Sequence, residues 1–543
     1  MQMTGGEAVV NALIKQGVKT LFGLPGVQND WLYNALYDRR EQIEVIHTRH
    51  EQGAGYMALG YAQATGDAAV FSVVPGPGFL NASAALATAQ SLNASVLCLS
   101  GQIPSGKIGQ GTGALHEIPD QMSIMRQLTK WAARVKRPAE APALVAEAFR
   151  QMRTGLPQPV GLEVPMDVLA QKEDVEPIGA IPDVQQLALD MEQIEQAAVW
   201  LGQAQRPLIY VGGGAQNASA EVRELAELLE APVVAYRTGQ GVMDGRHYLS
   251  IHHVPSRALW QTSDVVLAIG TNMRDPLTWG VDEALKIIRI DADPASHGRI
   301  HLPDLAITAR AEEAVPALLE LVGRHNHKRD SRQEEMLALK GAWQKQSAYL
   351  EPQLSYLKVM RETMGEAGIF VEELTQVGFT SRLTMPVYHP RTYISTGYQG
   401  TLGFGFPTAL GVKVAKPDAP VISVTGDGGF MFAVQELATA VQHRIGLVTV
   451  LFNNNQFGNV QQMQKNLYDN RVIATDLHNP DFVKLAESFG AQGLRAETPA
   501  QLQQALERGF TAEGPTLIEV PIGDVPSVDR FRRLPRVRPL GGQ

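Results

Sequence analysis

Doubly wound α/β domains are what this sequence predicts, and three observations predict them. At 543 residues the chain is too long for one hydrophobic core, so about three domains of roughly 180 residues each are expected. Its apolar runs are short, β-branched and uninterrupted, the pattern of strands buried on both faces of a parallel sheet. These runs alternate with helically spaced segments, which is the order of βαβ units. Boundaries are placed at residues 1–175, 190–325 and 355–543.

In the first domain Thr4 is a plausible N-cap for an amphipathic helix carrying Val9, Val10, Leu13 and Ile14. Strands follow at Thr20–Gly23, Glu44–His47, Ala69–Val74, Ser95–Ser100 and Val160–Val164. A Pro-bearing connector, Lys172–Gln186, leads to strands at Leu208–Val211, Val233–Ala235, Val265–Ile269 and Ile287–Ile290, which make the middle domain Rossmann-like. Residues 325–354, rich in charge and Gln, read as a solvated connector.

The third domain holds the most informative stretch, Val421–Gly458. Two apolar runs, Val421–Val424 and Leu447–Phe452, flank a helix expected over Phe430–His443. The first run ends in Gly426-Asp427-Gly428, with Gly429 following, and the second delivers Asn453, Asn454 and Asn455. A single crossover returns Asp427 and Asn454, 27 positions apart, to one rim. Glycines bring backbone N–H groups close to a phosphate, and a helix start adds positive potential. The Asp427 carboxylate, an amide oxygen of Asn454 and a backbone carbonyl near Gln456, with water and phosphate oxygens, would suit octahedral Mg²⁺.

This Gly-Asp-Gly and Asn-Asn pairing resembles the motif of thiamine diphosphate (ThDP) enzymes, and the likeness to acetolactate synthases and their decarboxylase and lyase relatives covers nearly the whole chain. The resemblance implies that the first and third domains are alike, binding the pyrimidine and the diphosphate of the cofactor respectively. It makes Glu51, in the run Arg49-His50-Glu51, the carboxyl group that hydrogen-bonds N1′ of the aminopyrimidine and so favours the cofactor's 4′-imino tautomer. Pro77 and Asn81 belong to a Pro-Gly-Pro-Gly loop packed on the pyrimidine, and Gly400 and Leu402 hold and bend the cofactor. Gln376, Gly426, Asp427, Gly428, Gly429, Asn454, Gln456, Phe457 and Gly458 gather around the diphosphate and metal.

The substrate pocket implied by the resemblance comprises Gly26, Val27, Leu115, His116, Val460 and Met463. His116 stands where acetolactate synthases usually have Gln, and an imidazole there suits proton transfer. Val460 occupies the place of the proton-donating Glu of pyruvate decarboxylases, and Met463 that of a pocket Trp. Those synthases also hold FAD in the middle domain. Two departures count against it here: Leu249–Asp264 is shorter than the flavin-contacting segment, and Pro276 replaces an arginine that meets the 2-oxo acid.

The expected function is decarboxylation of a 2-oxo acid with carboligation to a second carbonyl. The alternatives are a decarboxylase or lyase of an aromatic or bulky 2-oxo acid and, more remotely, a non-catalytic nucleotide-binding relative. A homodimer or homotetramer with shared active sites is expected from the family, and a regulatory subunit is left open. A net charge of −9 argues against nucleic-acid or anionic-membrane partners. The start of the chain lacks signal-peptide character, and the single Cys98 reads as an inert buried thiol, so a reducing cytoplasm is expected. Arg530, Arg532, Arg533, Arg536 and Arg538 give a basic tail, read as disordered or surface-bound, with a lid over the site as the sharper alternative.

Overall fold

The computed structural model describes residues 1–178 and 188–539, so residues 179–186 of the expected connector lie outside it. Three six-stranded sheets carry the described chain, and the pairings described within them are parallel. In the first sheet the spatial order is Glu44–His47, Thr20–Gly23, Ala69–Val73, Val96–Gln102, Val160–Pro165, Trp131–Arg134. All residues of Ala69–Val73, Val96–Gln102 and Val160–Pro165 are buried, as helices on both faces require. Thr4 does cap the first helix, Gly5–Lys15, in a reciprocal pair with Glu7.

In the third domain Val421–Gly426, Val448–Asn453, Thr516–Pro521 and Gln492–Arg495 lie side by side in that order. The first sheet ends in the same way, its last strand in the chain lying inside the one before it. The middle sheet runs Ser250–His252, Val233–Ala235, Pro207–Val211, Val265–Ile269, Lys286–Asp291, Leu305–Thr308, which is the Rossmann order 3-2-1-4-5-6.

The described residues form two compact units: 1–178 with 396–521, and 188–395 with 522–539. Inside the first unit, helix Glu51–Thr65 crosses helix Gly405–Ala415 at matched notches. A Cβ on Gly60 would lie 2.0 Å from the Thr408 carbonyl oxygen, and one on Gly411 would lie 1.9 Å from that of Met57. Only glycine permits that approach.

Three expectations change. The helix expected over Phe430–His443 is broken into Asp427–Phe430 and Glu436–Gln442, with Phe432 exposed at the turn between them. The stretch 325–354 is no solvated connector, because helix Gln333–Ser347 buries Met336, Trp343 and Ser347 in the second unit. Nor is the tail loose. Phe531 lies edge-on to Trp343 at 4.9 Å, and the Arg530 guanidinium sits 3.5 Å over the Tyr349 ring. Arg538 is buried, donating to the Trp260 carbonyl (2.8 Å) and the Ser263 carbonyl and pairing with Asp282 (2.5 Å). Arg530 stacks on a ring and Arg538 serves as a buried hydrogen-bond fork in the second unit, while Arg533 and Arg536 are exposed, a division that length and charge alone do not reveal.

Candidate active site

The carboxyl ends of two neighbouring strands, Val421–Gly426 and Val448–Asn453, supply the oxygen-rich rim. Asp427 is 3% exposed, and burial raises its pKa above the ordinary carboxylate value. The amide nitrogen of Asn479 donates to Asp427 Oδ2 (2.7 Å), Asn453 Oδ1 (3.1 Å) and Asn455 Oδ1 (3.2 Å). Three oxygens thus converge on one donor. A carboxylate and amide oxygens gathered in so small a space, with the carboxylate destabilised by burial, form a donor set that fits a hard divalent cation.

Asn455 adopts φ of +55°, a left-handed turn that swings the chain away from the strand. The Asn454 amide is not part of the cluster around Asn479. Its nitrogen lies 2.9 Å from where a Cβ on Gly458 would stand, beside the start of helix Gly458–Leu467. Gln456 pairs with Asp476, and the Phe457 N–H donates to the Thr475 carbonyl (2.8 Å). The Phe457 ring packs so tightly on Gly428 that a Cβ there would be 2.5 Å away. Segment 475–479 therefore closes one side of the rim, a role that sequence reasoning missed; its Asn479 carries no spacing signal.

Glu51 opens helix Glu51–Thr65, where the helix dipole favours an anion. Its Oε2 accepts from the Asn81 amide (3.0 Å), and Gly78 leaves room for its carboxylate, since a Cβ there would lie 3.2 Å from Oε1. The backbone entering this helix is held from the third domain. Buried Glu436 accepts from the N–H groups of Arg49 (3.0 Å) and His50 (3.0 Å), and the Thr439 hydroxyl donates to it (2.6 Å). Glu436 sits in helix Glu436–Gln442, one turn past the Asp427 loop. Sequence reasoning missed it, although a glutamate inside an apolar helical run is a signal for a buried acceptor.

The Pro75–Gly78 loop is anchored beneath by a buried network. The Gly76 N–H donates to Gln121 Oε1 (2.8 Å), while the Gln121 amide donates to Ser100 Oγ (3.1 Å) and Glu163 Oε2 (3.0 Å). Pro77 begins the short helix Pro77–Asn81. A Cβ on Gly76 would lie 2.3 Å from the His116 carbonyl oxygen, so this loop and the His116 turn are in direct contact. The Gly26 N–H donates to Asn29 Oδ1 (2.8 Å).

Of the pocket residues, Val27, Leu115, Val460 and Met463 expose 53%, 61%, 48% and 39% of their surfaces, an apolar set facing outward from the first unit. Gly400 takes φ of +63°, and Leu402 is half-buried. Gln376, in the second unit, has both amide atoms buried without a hydrogen-bond partner, which marks a group waiting for one.

Parallel strands that end in a carboxylate, amide oxygens and glycine turns form the ligand-binding edge of an α/β protein. Three family models fix which: thiamine pyrophosphate enzyme N-terminal TPP binding domain over residues 3–124, central domain over 194–318 and C-terminal TPP binding domain over 375–520. The chain belongs to the thiamine pyrophosphate enzymes, and it catalyses formation or cleavage of carbon–carbon bonds with ThDP.

Within that family it is acetolactate synthase-like. It is 34% identical to a probable acetolactate synthase large subunit of Methanocaldococcus jannaschii, over 99% of this chain and 94% of the relative. Identity to the acetolactate synthase isozyme 1 large subunit of Escherichia coli K12 is 31%, over 96% and 94%. A probable 2-ketoarginine decarboxylase of Pseudomonas aeruginosa is 32% identical, over 95% and 94%. No helix among the described residues is long and apolar enough to cross a membrane.

Proposed function

We propose that the protein decarboxylates a 2-oxo acid and joins the remaining carbon unit to a second carbonyl, in a Mg²⁺-dependent reaction. The observation that carries this reading is the pairing of the Asp427 oxygen cluster with Glu51 at a helix start, in a chain similar over its full length to acetolactate synthases. Bound ThDP supplies the electron sink for loss of carbon dioxide. Asp427, Asn454 and the carbonyl of Gln456 would hold Mg²⁺, with Asn453, Asn455 and Asn479 arranging the oxygens around them.

Glu51 would exchange a proton with the pyrimidine N1′, steadied by Asn81 and by the Glu436 clasp on Arg49 and His50. Leu402 would bend the cofactor, and Gly400 would hold its edge. Val460 and Met463 cannot give up a proton, which favours capture of the second carbonyl over protonation. The exposed apolar set Val27, Leu115, Val460 and Met463 supports a homodimer or homotetramer in which a second copy covers it.

A second reading, a decarboxylase of a larger 2-oxo acid with His116 as proton carrier, is favoured by the imidazole at that position and by the likeness to the 2-ketoarginine decarboxylase. Carbon dioxide release and product analysis with pyruvate, ThDP and Mg²⁺ separates the two. Acetolactate formed by wild type and lost in Glu51→Gln supports carboligation; acetaldehyde, or no turnover of pyruvate but turnover of bulkier 2-oxo acids, supports the second.

A further inference from the structure

We propose that Gln28 is a positioning residue that fixes His116 as the Nδ1–H tautomer and leaves its Nε2 lone pair for the substrate. The proposal rests on the proposed function in one respect, that His116 faces the substrate. Gln28 is 2% exposed, and its amide makes two bonds to consecutive residues of one turn. Its Nε2 donates to the Leu115 carbonyl (2.8 Å), and its Oε1 lies 3.0 Å from His116 Nδ1.

The first bond decides the second. A backbone carbonyl can only accept, so the amide must turn its NH₂ to Leu115 and its oxygen to the imidazole. That oxygen can only accept, so Nδ1 must carry the hydrogen. In a neutral imidazole the other nitrogen is then the base. Nε2 of His116 has no hydrogen-bond partner among the described residues and is not among the sealed, unpartnered buried atoms.

The surrounding backbone holds the ring in this setting at a conformational cost. His116 has φ of +68°, in the left-handed region where a residue with a Cβ is strained. Contact with Gly76 on one side and the Gln28 bond to Leu115 on the other keep it there. Nearby carboxylates are committed elsewhere: Glu117 accepts from Gly111 (3.0 Å) and Ala114 (2.9 Å), and Asp120 from Ser123 (3.0 Å). Glu51 is separated from His116 by the Pro75–Gly78 loop and is held by Asn81.

The test reads His116 directly. Carbethoxylation of the full-length holoenzyme by diethylpyrocarbonate, followed by peptide mass spectrometry, gives the rate at His116 against pH. Gln28→Glu, nearly isosteric, places a carboxylate on Nδ1–H and favours imidazolium, so the midpoint at His116 should rise by about one pH unit. Gln28→Leu removes the acceptor and should lower kcat about tenfold or more with whichever 2-oxo acid wild type turns over, with KM changed much less. A Gln28→Glu profile that superimposes on wild type overturns the proposal, whether or not Gln28→Leu folds. Failure of wild type to bind ThDP would instead overturn the functional reading and leave the His116 result standing.

Discussion

Two glycine turns in this molecule follow a buried parallel strand, and they do opposite things. At Gly426–Gly429 the chain opens into a rim of oxygens, and Gly428 makes room for the Phe457 ring. At Gly212–Gly214, after Pro207–Val211 in the middle sheet, glycine is needed because another glycine turn presses against it. A Cβ on Gly212 would lie 2.2 Å from the Gly270 carbonyl oxygen, and one on Gly214 would lie 2.8 Å from Gly270 Cα. The Gly212 N–H is donated to Ile269 (3.0 Å) and that of Gly214 to Gly270 (3.3 Å), so neither is free for a phosphate. The same strand–glycine–helix grammar thus opens onto an oxygen-rich rim in one place and serves backbone packing in the other.

The largest effect should come from Asp427→Ala. Loss of the sole carboxylate in the oxygen cluster should weaken Mg²⁺-dependent ThDP binding at least 100-fold, read by titration of tryptophan fluorescence. The thermal midpoint without cofactor should stay level or rise, because the burial cost of the carboxylate disappears. Gly212→Ala should show the reverse: the new Cβ meets backbone that cannot yield cheaply, costing about 1–3 kcal/mol of stability, with ThDP affinity unchanged. A fall in ThDP affinity without loss of stability would break the contrast.

Acid should separate the same two regions. The Asp427 pKa is raised, so the carboxylate takes up its proton at higher pH than an ordinary aspartate. Mg²⁺ binding should therefore weaken as pH falls through that raised value, while the metal-free fold gains slightly from the same protonation. In the middle domain His253 is stacked between Tyr236 (4.5 Å) and Trp279 (4.8 Å), and desolvation lowers its pKa from 6.5 to about 4. An unfolded chain then binds the proton more readily. Stability should fall as pH drops from about 6.5 towards about 4, and His253→Phe should flatten that slope in denaturant titrations at stepped pH.

An effect no larger than that of Gly212→Ala sharpens the account of the second unit. Arg538→Ala removes bonds to Trp260, Ser263 and Asp282 and leaves two carbonyls without their buried donor. It should cost about 1–3 kcal/mol in denaturant unfolding and leave ThDP affinity unaltered.

Sequence by itself determined the fold class and most strand positions. Thr20–Gly23, Val233–Ala235 and Val265–Ile269 were legible to the residue, because strands buried largely on both faces admit little but apolar side chains, and the edge strand Glu44–His47 was legible as well although its Glu44 is exposed. It also placed Asp427 and Asn453–Asn455 at the carboxyl ends of neighbouring strands, where Asn453 and Asn455 rather than the expected Asn454 share the Asn479 donor with Asp427. Only tertiary structure decided which side chains complete the site. Asn479, Glu436 and Gln28 act through contacts with residues 52, 387 and 88 positions away, and no local periodicity records such partners. The break after Phe430, the burial of Trp343 and the docking of the arginine tail were likewise settled by packing, because a surface that helical spacing leaves ambiguous is assigned only by the neighbour that covers it.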